Sequence, residues 1–169
     1  MKPDAVLLIA FGGPTRFEEV RPFLDNVLKG RPVPPSRVEQ VAEQYKAIGG
    51  RSPMNDLTFS QARALEARLR SDGSPVPVYV GMRNWAPYLA DALREAGSKG
   101  HRQLFGIVMA AHRTEASWER YLQTVEEAVR EVGGGIEIQY AGPWHIHDRF
   151  IQSVVERIRA VLAAVAPTI

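Results

Sequence analysis

The chain contains no cysteine. That excludes a disulfide framework and any thiolate-ligated metal or iron–sulfur centre, and it fits a cytoplasmic setting. No apolar run approaches the ~20 residues a membrane-spanning helix requires, so no transmembrane segment is expected. The net charge is only +2, too small to point to nucleic acid as a partner. The opening stretch MKPDAVLLIAFGG is interrupted in front by Asp4 and has no small-residue cleavage site, so it reads as a buried strand rather than a signal peptide. Nucleotide signatures are also missing. The turn Gly12-Gly13-Pro14 lacks the G-x-G-x-x-G spacing, and there is no phosphate-loop lysine followed by serine or threonine. No G-x-S-x-G elbow is present, which removes the best-known setting for a serine nucleophile.

What remains is a chain of 169 residues, 45% hydrophobic and 24% charged, the size and composition of one globular domain. Strand-like and helix-like patterns alternate along it. Residues 5–11 (AVLLIAF) form a continuous apolar run, as expected of a strand buried on both faces of a parallel sheet. Further strands are expected at 76–81, 103–110 and 136–142. Helices are expected at 17–30, 38–48, 58–71, 87–97, 115–134 and 148–165, with the proline-rich 31–36 as an exposed connector. This alternation calls for a four-stranded parallel sheet with helical crossovers. Ligands of such sheets bind beyond the carboxyl ends of the strands.

The loops at those ends are rich in Gly, Trp, His and Arg. GMRNWAP (81–87) brings out Arg83, Asn84 and Trp85 together, a cation, an amide and a large flat ring suited to an anionic aromatic ligand. AAHRTEASWERY (110–121) offers His112 as a proton acceptor, and Glu115 as a second acceptor or a helix cap. In PWHIH (143–147), an extended backbone would put His145 and His147 on one face, where two imidazoles can hold a divalent ion. In QYKAIGGRSPM (44–54), two glycines feed a helix start in which Ser52 takes the N-cap and Pro53 the first position. The free amides there, together with Arg51, suit an anion.

These stretches, with LLIAFGGP (7–14), EEVRPFLDNVLKGR (18–31) and the H-x-T-x-x-S-x-x-x-Y run from His112 to Tyr121, resemble the N-terminal half of a ferrochelatase. Such enzymes insert ferrous iron into a porphyrin during haem synthesis. The resemblance implies an α/β, flavodoxin-like or chelatase-type three-layer sandwich, with residues 1–169 forming one domain of a two-domain enzyme. It implies porphyrin and ferrous iron as substrates and no required cofactor. Porphyrin contacts would fall on Phe11, Lys29, Arg31, Gln44, Tyr45, Ser52, Arg83, Asn84 and Tyr121, with Trp85 as a further flat wall. A porphyrin is an apolar disc with propionates, so it needs flat walls and cations at the rim. Two positions depart from common family choices: Phe11, where some relatives carry a tyrosine, and Asn84, where others carry histidine or tyrosine. The family's S-H-x-x-P-type histidine motif does not occur. The expected explanation is that this is part of a longer enzyme. The alternatives are a half that needs a separate partner, a non-catalytic porphyrin-binding module, or a half-sized chelatase pairing with a second copy. In the last case His112 and Glu115 would handle protons, with His145 and His147 as outside candidates for the metal.

Overall fold

The computed structural model describes residues 2–165, apart from the side chain of Ala116. Its four strands are β1 (Ala5–Ala10), β2 (Val78–Met82), β3 (Gln103–Val108) and β4 (Glu137–Tyr140). They lie in the order β2-β1-β3-β4 and all run parallel, as the alternating pattern predicts. The all-apolar run belongs to β1 because this strand is central, pairing Leu8 with Val80 on one side and Ile107 on the other. All six of its residues are buried. Ala5, Leu7 and Ile9 face one layer, and Val6, Leu8 and Ala10 face the other. Each fully buried leucine or isoleucine contributes about 1.5–3 kcal/mol, so this strand alone is a large part of the driving force.

Helices α4 (Leu89–Ser98) and α5 (Arg120–Val132) cover the first face, and α3 (Met54–Ser71) covers the second. Helices α1 (Val20–Leu28) and α2 (Pro35–Ala47) form a smaller cluster around Phe23 that takes in Phe11 and Trp85, beyond the carboxyl ends of β1 and β2. Three layers result, the sandwich expected from the sequence.

Several helix starts differ from the periodic pattern. Helix α2 begins at Pro35, inside the proline-rich stretch, because proline is tolerated in a first turn where no amide partner is needed. Helix α3 begins at Met54 rather than residue 58. Its first turn points polar groups inward, with Asn55 and Thr58 buried, so hydrophobic spacing could not reveal it. The stretch 115–134 is not one helix: a π-helical turn, Glu115–Glu119, precedes α5.

The last helix, α6 (Asp148–Val165), stands apart. Only Phe150 is half-buried, edge-on to Trp144 at 5.0 Å, and residues 151–165 are all exposed. Among the described residues, no helix is long and apolar enough to cross a membrane.

Candidate functional site

The carboxyl ends of β1 and β3 open onto a cleft of about 510 Å³. Its floor and walls come from Ala10 and Phe11 after β1, Met109 after β3, Tyr121 on α5 and Trp144 after β4. The start of α3 supplies the lip, with Ser52, Met54, Leu57, Thr58 and Gln61. The aromatic walls are held in place. Phe11 packs edge-on against Phe23 at 6.2 Å, and the Trp144 indole Nε1–H donates to the Val108 carbonyl at 3.0 Å. Tyr121 is buried, and burial pushes its phenol up to about 12, so it stays a neutral donor at any physiological pH.

The lip sits close to the β1 turn because position 13 is glycine. A Cβ there would meet Ser52 Cβ at 2.5 Å. The Ser52 N–H donates to the Pro14 carbonyl at 2.8 Å, and Asn55 Nδ2 donates to the Gly13 carbonyl at 2.8 Å. Helix α3 starts one residue later than the expected Ser52 cap, with Pro53 flanking it. The Ser52 hydroxyl still serves the helix start by accepting from the Met54 N–H at 3.2 Å.

Beside the cleft lies a cluster of guanidinium groups. That of Arg83 sits 5.9 Å from the Tyr121 ring centre. Its Nε is buried and has no protein hydrogen-bond partner. Burial holds the Arg83 pKa below the usual arginine range; Arg120 and Arg31 add to the lowering, and Tyr121 and Glu127 oppose it. Among the described residues, no carboxylate forms an ion pair with Arg31, Arg83 or Arg120. A buried donor without a partner costs about 1–3 kcal/mol, a cost that a bound acceptor would offset.

Other expected contacts are taken up by the scaffold. Asn84 is 2% exposed, and its Nδ2 donates to the Phe11 carbonyl at 3.2 Å. Trp85 packs edge-on against Phe23 at 6.2 Å, and its Nε1–H donates to Glu19 Oε2 at 3.0 Å. Tyr45 packs against the same ring, at 6.1 Å. Thus Arg83 alone of the GMRNWAP trio keeps a side-chain nitrogen without a protein partner, and it lines a neighbouring pocket with Tyr88, Leu89 and Glu127 rather than the cleft itself. Arg51 is not free for an anion, because it pairs with Asp56. The amides of Gly49, Gly50 and Ser52 bond to backbone carbonyls instead of forming an open nest. Lys29, Arg31 and Gln44 are exposed and do not line the cleft.

A family model described as ferrochelatase matches residues 3–168. The chain belongs to the ferrochelatase family. It is 40% identical over 158 residues to the coproporphyrin III ferrochelatase of Leifsonia xyli subsp. xyli, which covers 92% of this chain and 41% of the relative. It is 40% identical over 163 residues to the coproporphyrin III ferrochelatase of Frankia alni, covering 95% and 41%. It is 32% identical over 158 residues to the ferrochelatase of Deinococcus radiodurans, covering 94% and 50%. The chain therefore spans about half the length of the ferrochelatases it matches.

The histidines behave differently from expectation. The rings of His112 and His145 lie 4.9 Å apart, tilted by 31°. Residues 145 and 146 form a turn, so the extended backbone that would have set His145 on one face with His147 is not present. The His147 Nδ1 accepts from the Arg149 N–H at 3.2 Å at the start of α6. Among the described residues, no group of three or more His, Cys, Asp or Glu is placed to hold a metal. Glu115 is exposed, and the cap of the π-helical turn is Thr114, whose side chain accepts from the Ser117 N–H. Neither His112 nor Glu115 lines the cleft. The sequence reading missed Met109, Trp144, Gln61 and Arg120. Trp144 was visible beside the histidines of PWHIH, and Arg120 beside Tyr121, but neither had a pattern to set it apart.

Proposed function

We propose that this chain is one half of a ferrochelatase fold and forms one wall of a cleft for a propionate-bearing porphyrin. Ferrous iron is the co-substrate, inserted into the ring when the fold is complete. One observation carries this reading: the Arg83 guanidinium, half-buried with an unpartnered Nε, stands 5.9 Å from the Tyr121 ring of an aromatic-lined cleft, with Arg31 and Arg120 adding positive charge. A flat apolar disc with carboxylates at its rim uses both features at once. Phe11, Ser52, Tyr121 and Trp144 contact the disc, and Arg83 takes a propionate. Deprotonating the pyrroles and guiding the metal fall to the part of the relatives' length that this chain does not cover. The absence of cysteine supports a cytoplasmic setting.

The two relatives named for coproporphyrin III make that tetracarboxylate the first ligand to test. Titrating the chain into coproporphyrin III should shift its Soret band. Arg83→Met should weaken binding about tenfold or more, the value of one charge-assisted hydrogen bond. The tetramethyl ester, which carries no anions, should bind wild type and variant alike. Absence of any Soret change, or equal weakening for acid and ester, would refute the assignment.

A further inference from the structure

Two loops that leave the sheet side by side bring a pair of imidazoles together beyond β3 and β4. The Trp144 N–H donates to the Ala111 carbonyl at 3.2 Å, which ties the segment after β4 to the segment after β3. The next residue on each side of that bond is a histidine, His112 on one segment and His145 on the other. Their side chains therefore leave neighbouring points of two latched backbones, and the ring centres stand 4.9 Å apart. The latch is itself braced, because the Trp144 indole donates to the Val108 carbonyl at 3.0 Å. His112 is exposed and His145 half-buried, so the pair is open to solvent on the His112 side.

Two features of the pair point to a bound cation rather than to packing alone. The first is the separation. Two imidazoles that ligate one ion at about 2.1 Å, on adjacent tetrahedral or octahedral positions, hold their ring centres about 4.5–5.2 Å apart. The observed 4.9 Å falls inside that interval. The second is that His145 Nδ1 is enclosed and has no hydrogen-bond partner in the protein, whereas buried polar atoms are normally paired. His147 offers the contrast: its Nδ1 is already taken up by the Arg149 N–H. Among the described residues, no third His, Cys, Asp or Glu joins the pair, so water would fill the remaining positions of an ion held there. Nitrogen donors without a carboxylate select a transition ion over magnesium or calcium, which take oxygen ligands.

We propose that His112 and His145 form a binding site for a divalent first-row transition ion, separate from the porphyrin cleft. Trp144 lines that cleft, so the ion would stand one residue behind a cleft wall. With only two protein ligands the site is exchangeable: it takes up an ion and gives it up again. The site rests on the geometry of this chain alone. Only its use, as a stopping point for iron beside the cleft, rests on the chelatase reading above.

The chain has four histidines, so their ring signals can be followed one by one by NMR in a sample with isotope-labelled histidine. Zinc ion is titrated in without porphyrin. The signals of His112 and His145 should move together, with a shared midpoint of about 10–100 μM, while those of His101 and His147 stay in place. By isothermal titration, His112→Ala and His145→Ala should each weaken zinc binding about tenfold or more, and His147→Ala should stay within about twofold of wild type. No movement of the pair up to about 1 mM zinc, separate midpoints, or an equal loss in His147→Ala would overturn the proposal. Wild type alone supplies a check that needs no variant to fold. Cupric ion bound to it should show two equatorial imidazoles by pulsed EPR, and a single imidazole would overturn the pair. The two proposals fail separately. A chain that binds zinc through this pair but ignores coproporphyrin III would keep the site and lose the porphyrin reading, and the opposite result would do the reverse.

Discussion

Gly13→Ala tests how the lip of the cleft is built. Its Cβ would lie 2.5 Å from Ser52 Cβ and 2.7 Å from Ser52 Oγ. Carbon atoms in contact sit at about 3.5–4 Å, so the two segments must separate by about an ångström. Neither side yields easily. Ser52 is tied to the Pro14 carbonyl by its backbone N–H, and Asn55 holds the Gly13 carbonyl, both at 2.8 Å. Overpacking costs about 1–3 kcal/mol and one strained hydrogen bond about 1 kcal/mol more, so a loss of about 2–4 kcal/mol is expected. Urea unfolding should show it as a lower midpoint at unchanged slope. Ser52→Gly removes the colliding atom. Alone it should cost about 1 kcal/mol, through the lost bond to the Met54 N–H and the added backbone freedom. Combined with Gly13→Ala it should recover about 1–3 kcal/mol of the damage, a clear coupling between the two sites. If Gly13→Ala unfolds within about 0.5 kcal/mol of wild type, or if the two effects simply add, the account of this contact is wrong.

Tyr121→Phe should change the alkaline limb of stability. Burial raises the Tyr121 phenol from 10.0 to about 12 in the folded chain. Its contribution is therefore fully present below pH 10 and is lost as pH climbs toward 12, by about 2–3 kcal/mol at most. Wild type should lose urea resistance more steeply than Tyr121→Phe between about pH 10 and 11.5, and parallel curves would contradict the burial argument. Trp85→Phe should cost about 1–2 kcal/mol at neutral pH by breaking the bond to Glu19 and leaving a gap beside Phe23. The Glu19 carboxyl is held below its usual range, chiefly by the Thr15 N–H and in part by Trp85. That stabilisation is present above the ordinary carboxylate pKa and fades as pH falls, so the gap between the two proteins should narrow in acid. A gap that widens instead would exclude Trp85 as a support of that carboxylate.

The sequence by itself determined the architecture. An all-apolar β1 can exist only with both faces and both edges covered, which makes it central in a parallel sheet. A parallel sheet puts its ligand loops at one end, and Phe11, Ser52 and Tyr121 do meet there. Helix periodicity likewise found the span of α6, because one helix's stripe is a local property.

What only the tertiary structure decided is the direction of side chains in the loops, where no period exists to constrain them. Arg83, Asn84 and Trp85 leave β2 as three neighbours of equal promise. Asn84 turns inward to a carbonyl 73 positions away and Trp85 to a carboxylate 66 positions away, and only Arg83 keeps a buried nitrogen without a partner. Arg51 is lost to Asp56 in the same way. The spacing of α6 shows that it needs a cover, and only the folded chain shows that its own residues do not supply one.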